Sequence, residues 1–472
     1  MLFNSLAFLI FFPLVAIIYY LIPRHNLRLR NLLLLVASYY FYMCSIPAYA
    51  LILLSSTLIT YFSAILMGRK SETGRRKRIL TYNIILNISI LFFFKYFNFL
   101  SDNILSLTQQ LGLQLSRPGF NILLPVGISF YIFQALGYTI DVYRGKTLAE
   151  RDFITYALFV SFFPQLVAGP IERSYQLLPQ FKQEHRLQYD NIAAGARLMI
   201  WGYFLKLVLA DRCALYVDSI FDNVQQHNGG SYLLATLMFT FQIYGDFAGY
   251  SLIATGVARM LGFRLMENFH RPYFATSLTD FWRRWHISLS SWFKEYLYIP
   301  LGGSRVSGAR RSFNLIVTFL VSGLWHGANW TFVCWGAIHG FFVALEKIFQ
   351  RRKKQLSGIR RVIPCLCTFA VVSLLWVFFR ARHLHDAVSI FHGMVTNPGM
   401  PFLQDVGIGN VAAAICAIVA VLVKDYADEK AWPVHIATSN HAWIRYSYFA
   451  FMICIITLFG VLGSDQFIYF QF

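Results

Sequence analysis

Apolar runs long enough to cross a bilayer recur from one end of this 472-residue chain to the other, and nothing else in the sequence limits its fold as severely. A helix needs roughly 20 residues to span the hydrocarbon core, and in that core every backbone N–H and C=O must be satisfied within the span. Apolar spans begin near residues 3, 31, 48 and 79, and others are read at about 154–172, 194–220, 231–262, 313–345, 362–380, 409–424 and 444–464. These predict an all-α, polytopic integral membrane protein of about 11 transmembrane helices. With 57% hydrophobic and only 13% charged residues, the chain cannot clothe a soluble surface. No linker, low-complexity tract or internal repeat interrupts it, so residues 1–472 are expected to form a single membrane domain, and an inverted-repeat transporter gains no support.

A net charge of +19 would suggest nucleic acid if it lay on a soluble face. Here the basic residues fall in short clusters between apolar runs and read as topological instead. The densest are Arg69, Lys70, Arg75, Arg76, Lys77 and Arg78, and then Arg351, Arg352, Lys353, Lys354, Arg360 and Arg361. Placing both on the cytoplasmic side puts the N-terminus outside, and leaves the polar stretch 101–120 as an extracytoplasmic loop or surface helix. The first run lacks a basic leader and a small-residue cleavage site, and is expected to be a retained helix. The seven cysteines are scattered and match neither a disulfide framework nor a zinc spacing; His383, His385 and His392 match no standard metal site either, and no metal is expected.

Three regions break the pattern. Residues 123–145 carry Pro125, Gly127, Gly137 and Asp141 among apolar neighbours, which predicts a broken or re-entrant segment buried in protein. The stretch 280–305, DFWRRWHISLSSWFKEYLYIPLGGSR, is too charged for a span and too aromatic for an ordinary loop. On one helix, Arg283, His286, Ser290 and Lys294 would share a polar face and Trp285, Leu289, Trp292 and Tyr296 an apolar one, as an interfacial helix requires; Pro300 and Gly302-Gly303 would end it. Either it is a peripheral anchor whose arginines meet lipid phosphates, or Arg283, Arg284, Lys294 and Arg305 supply charge to an anionic substrate such as the phosphates of coenzyme A.

The third region, SGLWHGANWTFVCWGAIHG at 322–340, sets His326 and Asn329 among tryptophan, glycine and aliphatics. An ionisable group there is costly, and marks a functional site or a water-filled path unless it is merely hydrogen-bonded within a bundle. His339 suits that blander role better. Gly323, Gly327 and Gly336 would let neighbouring backbones approach closely, and Asn329 would share the helix face of His326 if the segment is helical throughout.

Together these segments resemble the membrane-bound O-acyltransferase superfamily, in its bacterial alginate O-acetyltransferase-like branch. The resemblance covers nearly the whole chain: the opening MLFNSLAFLIFFPLVAIIYYLIP, LPVGISFYIFQALGYTIDVYRG at 124–145, FFPQLVAGPIER at 162–173, FQIYGDFAGYSLIATGVARMLGF at 241–263, the two blocks just described, LLWVFFRA at 374–381 and the terminal FIYFQF. It implies the fold of that superfamily, with His326 of the WHG motif as a catalytic residue and His286 as the second family histidine. It also implies O-acetyl transfer from cytoplasmic acetyl-CoA, with no tightly bound cofactor, toward an extracytoplasmic polysaccharide. A separately encoded partner of the SGNH-hydrolase type and residence in a bacterial cytoplasmic membrane follow from the same resemblance.

A D-alanine-exporting protein of teichoic acid modification is the nearest competing member, and FPQLVAGPIER favours the alginate-type pattern over it. In such a reaction His326 would serve as general base, while Asn329 or Trp325 could donate a hydrogen bond to the developing oxyanion. The acetyl group must pass from one side to the other, and segments 123–145 and 163–173 are the expected lining of its passage. A transporter would move substrate without acetyl-CoA, a scaffold would keep working without His326 and His286, and a lipid-directed acyltransferase would label lipid.

Overall fold

A computed structural model describes residues 1–68, 72–113, 124–167, 169–349, 358–404, 406–432, 437, 439, 441–461 and 467–468. It is helical over 77% of its length, with no strand among the described residues. Among the described residues, seven helices are long and apolar enough to cross a membrane: Tyr49–Gly68, Thr73–Gln110, Tyr189–Phe221, Trp330–Phe349, Ile359–Arg380, Ile408–Glu429 and Ala442–Phe459. Leu6–Leu21 and Phe153–Leu166 are shorter apolar helices. The chain is therefore a multi-pass membrane protein. Within the count of about eleven, seven spans meet both criteria of length and apolarity. Arg69, Lys70, Arg351, Arg352, Lys353 and Lys354 lie outside the described residues, as do residues 114–123 and the last four residues.

The chain divides into two compact units, residues 1–196 with 254–266, and residues 197–253 with 267–472. In the first unit, polar groups tie the apolar helices together. Ser5 caps Leu6–Leu21 by accepting the Phe8 N–H at 3.2 Å. Arg30 is buried: it donates to the carbonyls of Ile22 and His185 and lies over the Tyr19 ring at 4.7 Å. A cation that deep is tolerable because carbonyl dipoles and an aromatic face replace its water.

The segment expected to be broken proves to be a continuous helix, Ile128–Tyr143, buried on nearly every face. Its polar residues do not interrupt it because they reach neighbours: Gln134 Nε2 donates to Phe159 O at 2.5 Å and Thr139 Oγ1 to Asn83 Oδ1 at 3.2 Å. The irregularity lies just ahead of it, where Gly127 adopts φ +73° and a Cβ would stand 2.7 Å from Leu166 O, so only glycine fits. The stretch 101–110, expected as a loop or surface helix, continues the helix Thr73–Gln110.

In the second unit the expected span 313–345 is two helices, Gly308–His326 and Trp330–Phe349. Gly323 and Gly336 let them meet. A Cβ on Gly323 would lie 2.3 Å from Phe332 O, and one on Gly336 2.4 Å from Phe319 O. Behind them sits an aromatic core in which Trp285, Trp335 and Trp376 are all within 1% of complete burial. Trp376 packs against Trp285 at 5.0 Å and against Trp335 at 5.7 Å. Such pairs contribute about 0.5–1.5 kcal/mol each beyond their buried area, and they form one wall of the site.

Candidate active site

His286 occupies a break where one helix was expected. Leu278–Arg284 ends, Trp285 is extended, and His286 takes left-handed angles of φ 43° and ψ 54° before Ile287–Phe293 begins. For a residue with a Cβ this conformation costs about 1–2 kcal/mol, so something must hold it. Asn268 does: its carbonyl accepts the Ile287 N–H at 2.9 Å, and its Oδ1 accepts both the Ser288 N–H at 3.2 Å and the Ser288 hydroxyl at 2.9 Å. Its amide in turn donates to Ser251 at 3.2 Å. The effect of the break is to drive the imidazole inward, to 0% exposure. The apolar set Trp285, Leu289, Trp292 and Tyr296 is buried as its spacing predicted, but His286 leaves the polar face and joins it.

His326 is the last residue of Gly308–His326, and the extended Gly327 follows it. Its ring lies 5.0 Å from Trp325, 5.1 Å from Trp335 and 5.3 Å from Phe379. The two histidines, 40 positions apart in sequence, come within 6.3 Å ring to ring, and Trp325 flanks both, 5.8 Å from His286. Phe247 closes the other side of His286 at 4.6 Å. Burial pushes the His286 imidazole down to about 3, so at neutral pH it is an uncharged ring able to donate from one nitrogen and accept at the other.

Asn329 does not share the face of His326. Helix and face both end at Gly327, and Asn329 opens the next helix, its Oδ1 accepting the Thr331 N–H at 3.1 Å and its Nδ2 donating to Arg382 O at 2.8 Å. Both ends of that side chain bond to the backbone. His339 takes the quieter part expected of it, accepting from Trp282 Nε1 at 3.4 Å.

The four basic candidates separate. Arg284 is committed to Asp280 and Glu429, each at 3.1 Å, and Glu429 also pairs with Arg271 and Arg361; its charge is spent on structure. Arg283, Lys294 and Arg305 are exposed, with no ion pair among the described residues. They remain available to an anion.

Sequence reading missed two features. One is Asn268, whose type carries no warning. The other is a buried triad in which Lys206, on the π-helical stretch Phe204–Ala210, places its Nζ 2.6 Å from Asp211 Oδ1 and 2.7 Å from Asp246 Oδ1. Here a signal existed, since ionisable residues inside apolar runs are rare and partnered. Asp246 Oδ2 also accepts the Ile468 N–H at 2.6 Å, and the neighbouring Phe467 ring packs tilted against Tyr250 at 4.4 Å and edge-on against Phe247 at 6.1 Å. The tail thus buttresses the ring that lies against His286.

A multi-pass helical frame with two buried histidines among aromatic rings is the setting in which residues 146–384 match the model of the membrane-bound O-acyltransferase family. The chain belongs to that family and is an O-acyltransferase. It is 41% identical, over 84% of its length and 78% of the relative's, to a "Probable alginate O-acetylase AlgI" of Azotobacter vinelandii. It is 35% identical, over 84% of its length and 80% of the relative's, to a "Peptidoglycan O-acetyltransferase" of Helicobacter pylori. A "Teichoic acid D-alanyltransferase" of Streptococcus thermophilus is 28% identical over 50% of this chain and 60% of its own.

Proposed function

We propose that this enzyme passes acetyl groups from cytoplasmic acetyl-CoA to an extracytoplasmic polysaccharide, working in the bacterial cytoplasmic membrane with its N-terminus outside and with a separate SGNH-type partner. The observation that carries the reading is the 6.3 Å approach of His286 and His326, both buried among aromatic rings. Identity to acetyl-transferring relatives well above that to the D-alanyl one favours acetate as the acyl group.

A glycan or serine hydroxyl is a poor nucleophile until a base removes its proton, a contribution of roughly 10² to 10⁴ in rate. His326 takes that proton as the oxygen attacks the thioester carbonyl. The new C–O bond forms, the C–S bond breaks, and the departing thiolate recovers a proton. His286, uncharged, is suited to donate a hydrogen bond to the carbonyl oxygen as charge gathers there, and Trp325 keeps the two rings in register. Arg283, Lys294 and Arg305 would attract the phosphates of the donor, with Arg284 holding the helix that carries the first of them.

The test is ester-linked acetate on surface polysaccharide from a strain lacking this protein, complemented at matched membrane abundance. Wild type restores the ester, and His326→Ala does not. Equal restoration by the alanine variant would return the scaffold and transport readings to the front.

A further inference from the structure

The first unit holds a cleft of ≈ 1440 Å³ that the acyl-transfer reading does not use. It lies among the end of the span Tyr49–Gly68, the loop 145–151 and the segment 174–182. Four basic side chains line it, Arg76, Lys146, Arg151 and Lys182, against one carboxylate, Glu150, which Lys182 already neutralises at 2.6 Å. Two donors in its wall are buried and have no hydrogen-bond partner among the described residues: the Ser174 hydroxyl and Arg76 Nε. Arg76 is fixed in place, since its Nη2 donates to Val142 O and Tyr143 O at 3.3 and 3.0 Å. Buried donors left without acceptors cost about 1–3 kcal/mol each, and an anion's oxygens would remove that cost.

The same cleft has an apolar side. Phe62 and Ile65 belong to a membrane-spanning helix, with Phe62 57% exposed, and Leu148 is held out at 91% exposure from a loop otherwise polar. Basic groups and exposed apolar groups lining one cleft fit an amphiphile whose head is anionic. We propose that this cleft binds a phosphate diester carried on an acyl tail, an anionic phospholipid, with the phosphate at Arg76, Arg151 and Ser174 and a chain along Phe62 and Ile65. A soluble phosphate ester would satisfy the donors but would leave Phe62 and Leu148 without a role.

The experiment titrates tail-labelled phosphatidylglycerol into the purified full-length protein in neutral detergent, with unlabelled phosphatidylglycerol, phosphatidylcholine and coenzyme A as competitors. One saturable equivalent is expected, displaced by phosphatidylglycerol only. Arg151→Gln with Lys182→Gln should weaken it roughly 10- to 30-fold, at about 1 kcal/mol per basic group near an anionic lipid. Ser174→Ala, which leaves all charge in place, should weaken it about 5-fold for one lost charge-assisted bond. Removing two exposed charges from the other unit, Arg360→Gln with Lys430→Gln, should leave it unchanged. If that control weakens binding equally, or if phosphatidylcholine competes equally, attraction is general to the basic surface and the site is refuted. Displacement by coenzyme A alone would overturn the lipid assignment. None of these readouts depends on acyl transfer.

Discussion

Glu172 in the first unit and His286 in the second are buried to nearly the same degree, and burial moves them in opposite directions toward the same end. Loss of water raises the Glu172 carboxyl to about 8, against the opposing pull of the Met266 N–H and Arg173, and lowers the His286 imidazole to about 3. Each is neutral at pH 7. Their uses differ: Glu172 Oε1 accepts the Met266 N–H at 2.7 Å and so ties two stretches of its unit together, whereas His286 lies ring to ring with a second histidine. A buried ionisable group reveals that a fold has met a cost. Its neighbours reveal whether the cost serves packing or chemistry.

The sharpest way to break this contrast is to remove each group and measure transfer. His286→Asn, which tolerates the left-handed backbone, should lower acetyl transfer by roughly 10²-fold or more with little change in thermal stability. Glu172→Gln should leave transfer within about twofold. Comparable losses in both would mean that His286, too, is only structural.

The next effect is on stability against pH. Glu172 binds its proton more tightly folded than unfolded, so its contribution is full below about 4.5 and is lost as pH rises toward about 8. His286 binds its proton less tightly folded than unfolded, so its unit loses stability as pH falls from about 6.5 toward about 3. Melting of the detergent-solubilised protein across pH 4 to 9 should show both slopes. Glu172→Gln should flatten the alkaline one alone, a change of the order of several kcal/mol; persistence of that slope in the variant would remove Glu172 as its source.

Smaller effects test the scaffold around the histidines. Gly336→Ala forces apart helices that meet backbone to backbone and should cost about 1–3 kcal/mol, lowering the melting temperature along with activity. Asn329→Ala removes a cap and should cost about 1 kcal/mol while leaving the transfer rate of the folded enzyme intact. A rate loss beyond its stability loss would restore Asn329 to the chemistry.

Much of this was legible in the sequence. Length and apolarity gave most of the helices, and the expense of placing His326 among tryptophans marked it without reference to any relative. The break at His286 was not legible, because polar and apolar residues keep a helical spacing from Arg283 to Lys294 straight through it, and Asn268, which holds the turn, lies outside that stretch, 20 positions before Ser288. Nor does composition separate Arg283 from Arg284, which are adjacent and alike; Glu429, 145 positions on, takes one and leaves the other. The continuous helix at 128–143 was hidden for the opposite reason, its glycine and polar residues being accommodated by partners that local sequence does not show.

The bond from Ile468 to Asp246 spans 222 positions, and it sets an order of events during synthesis. Lys206, Asp211 and Asp246 enter the membrane early and can pair at once. The amide that completes Asp246 emerges 222 positions later, together with the Phe467 ring that backs the wall of His286. A nascent chain can therefore hold its helices and both histidines while still lacking the last support of its pocket, so maturation of the site should wait until residues 467 and 468 have been made.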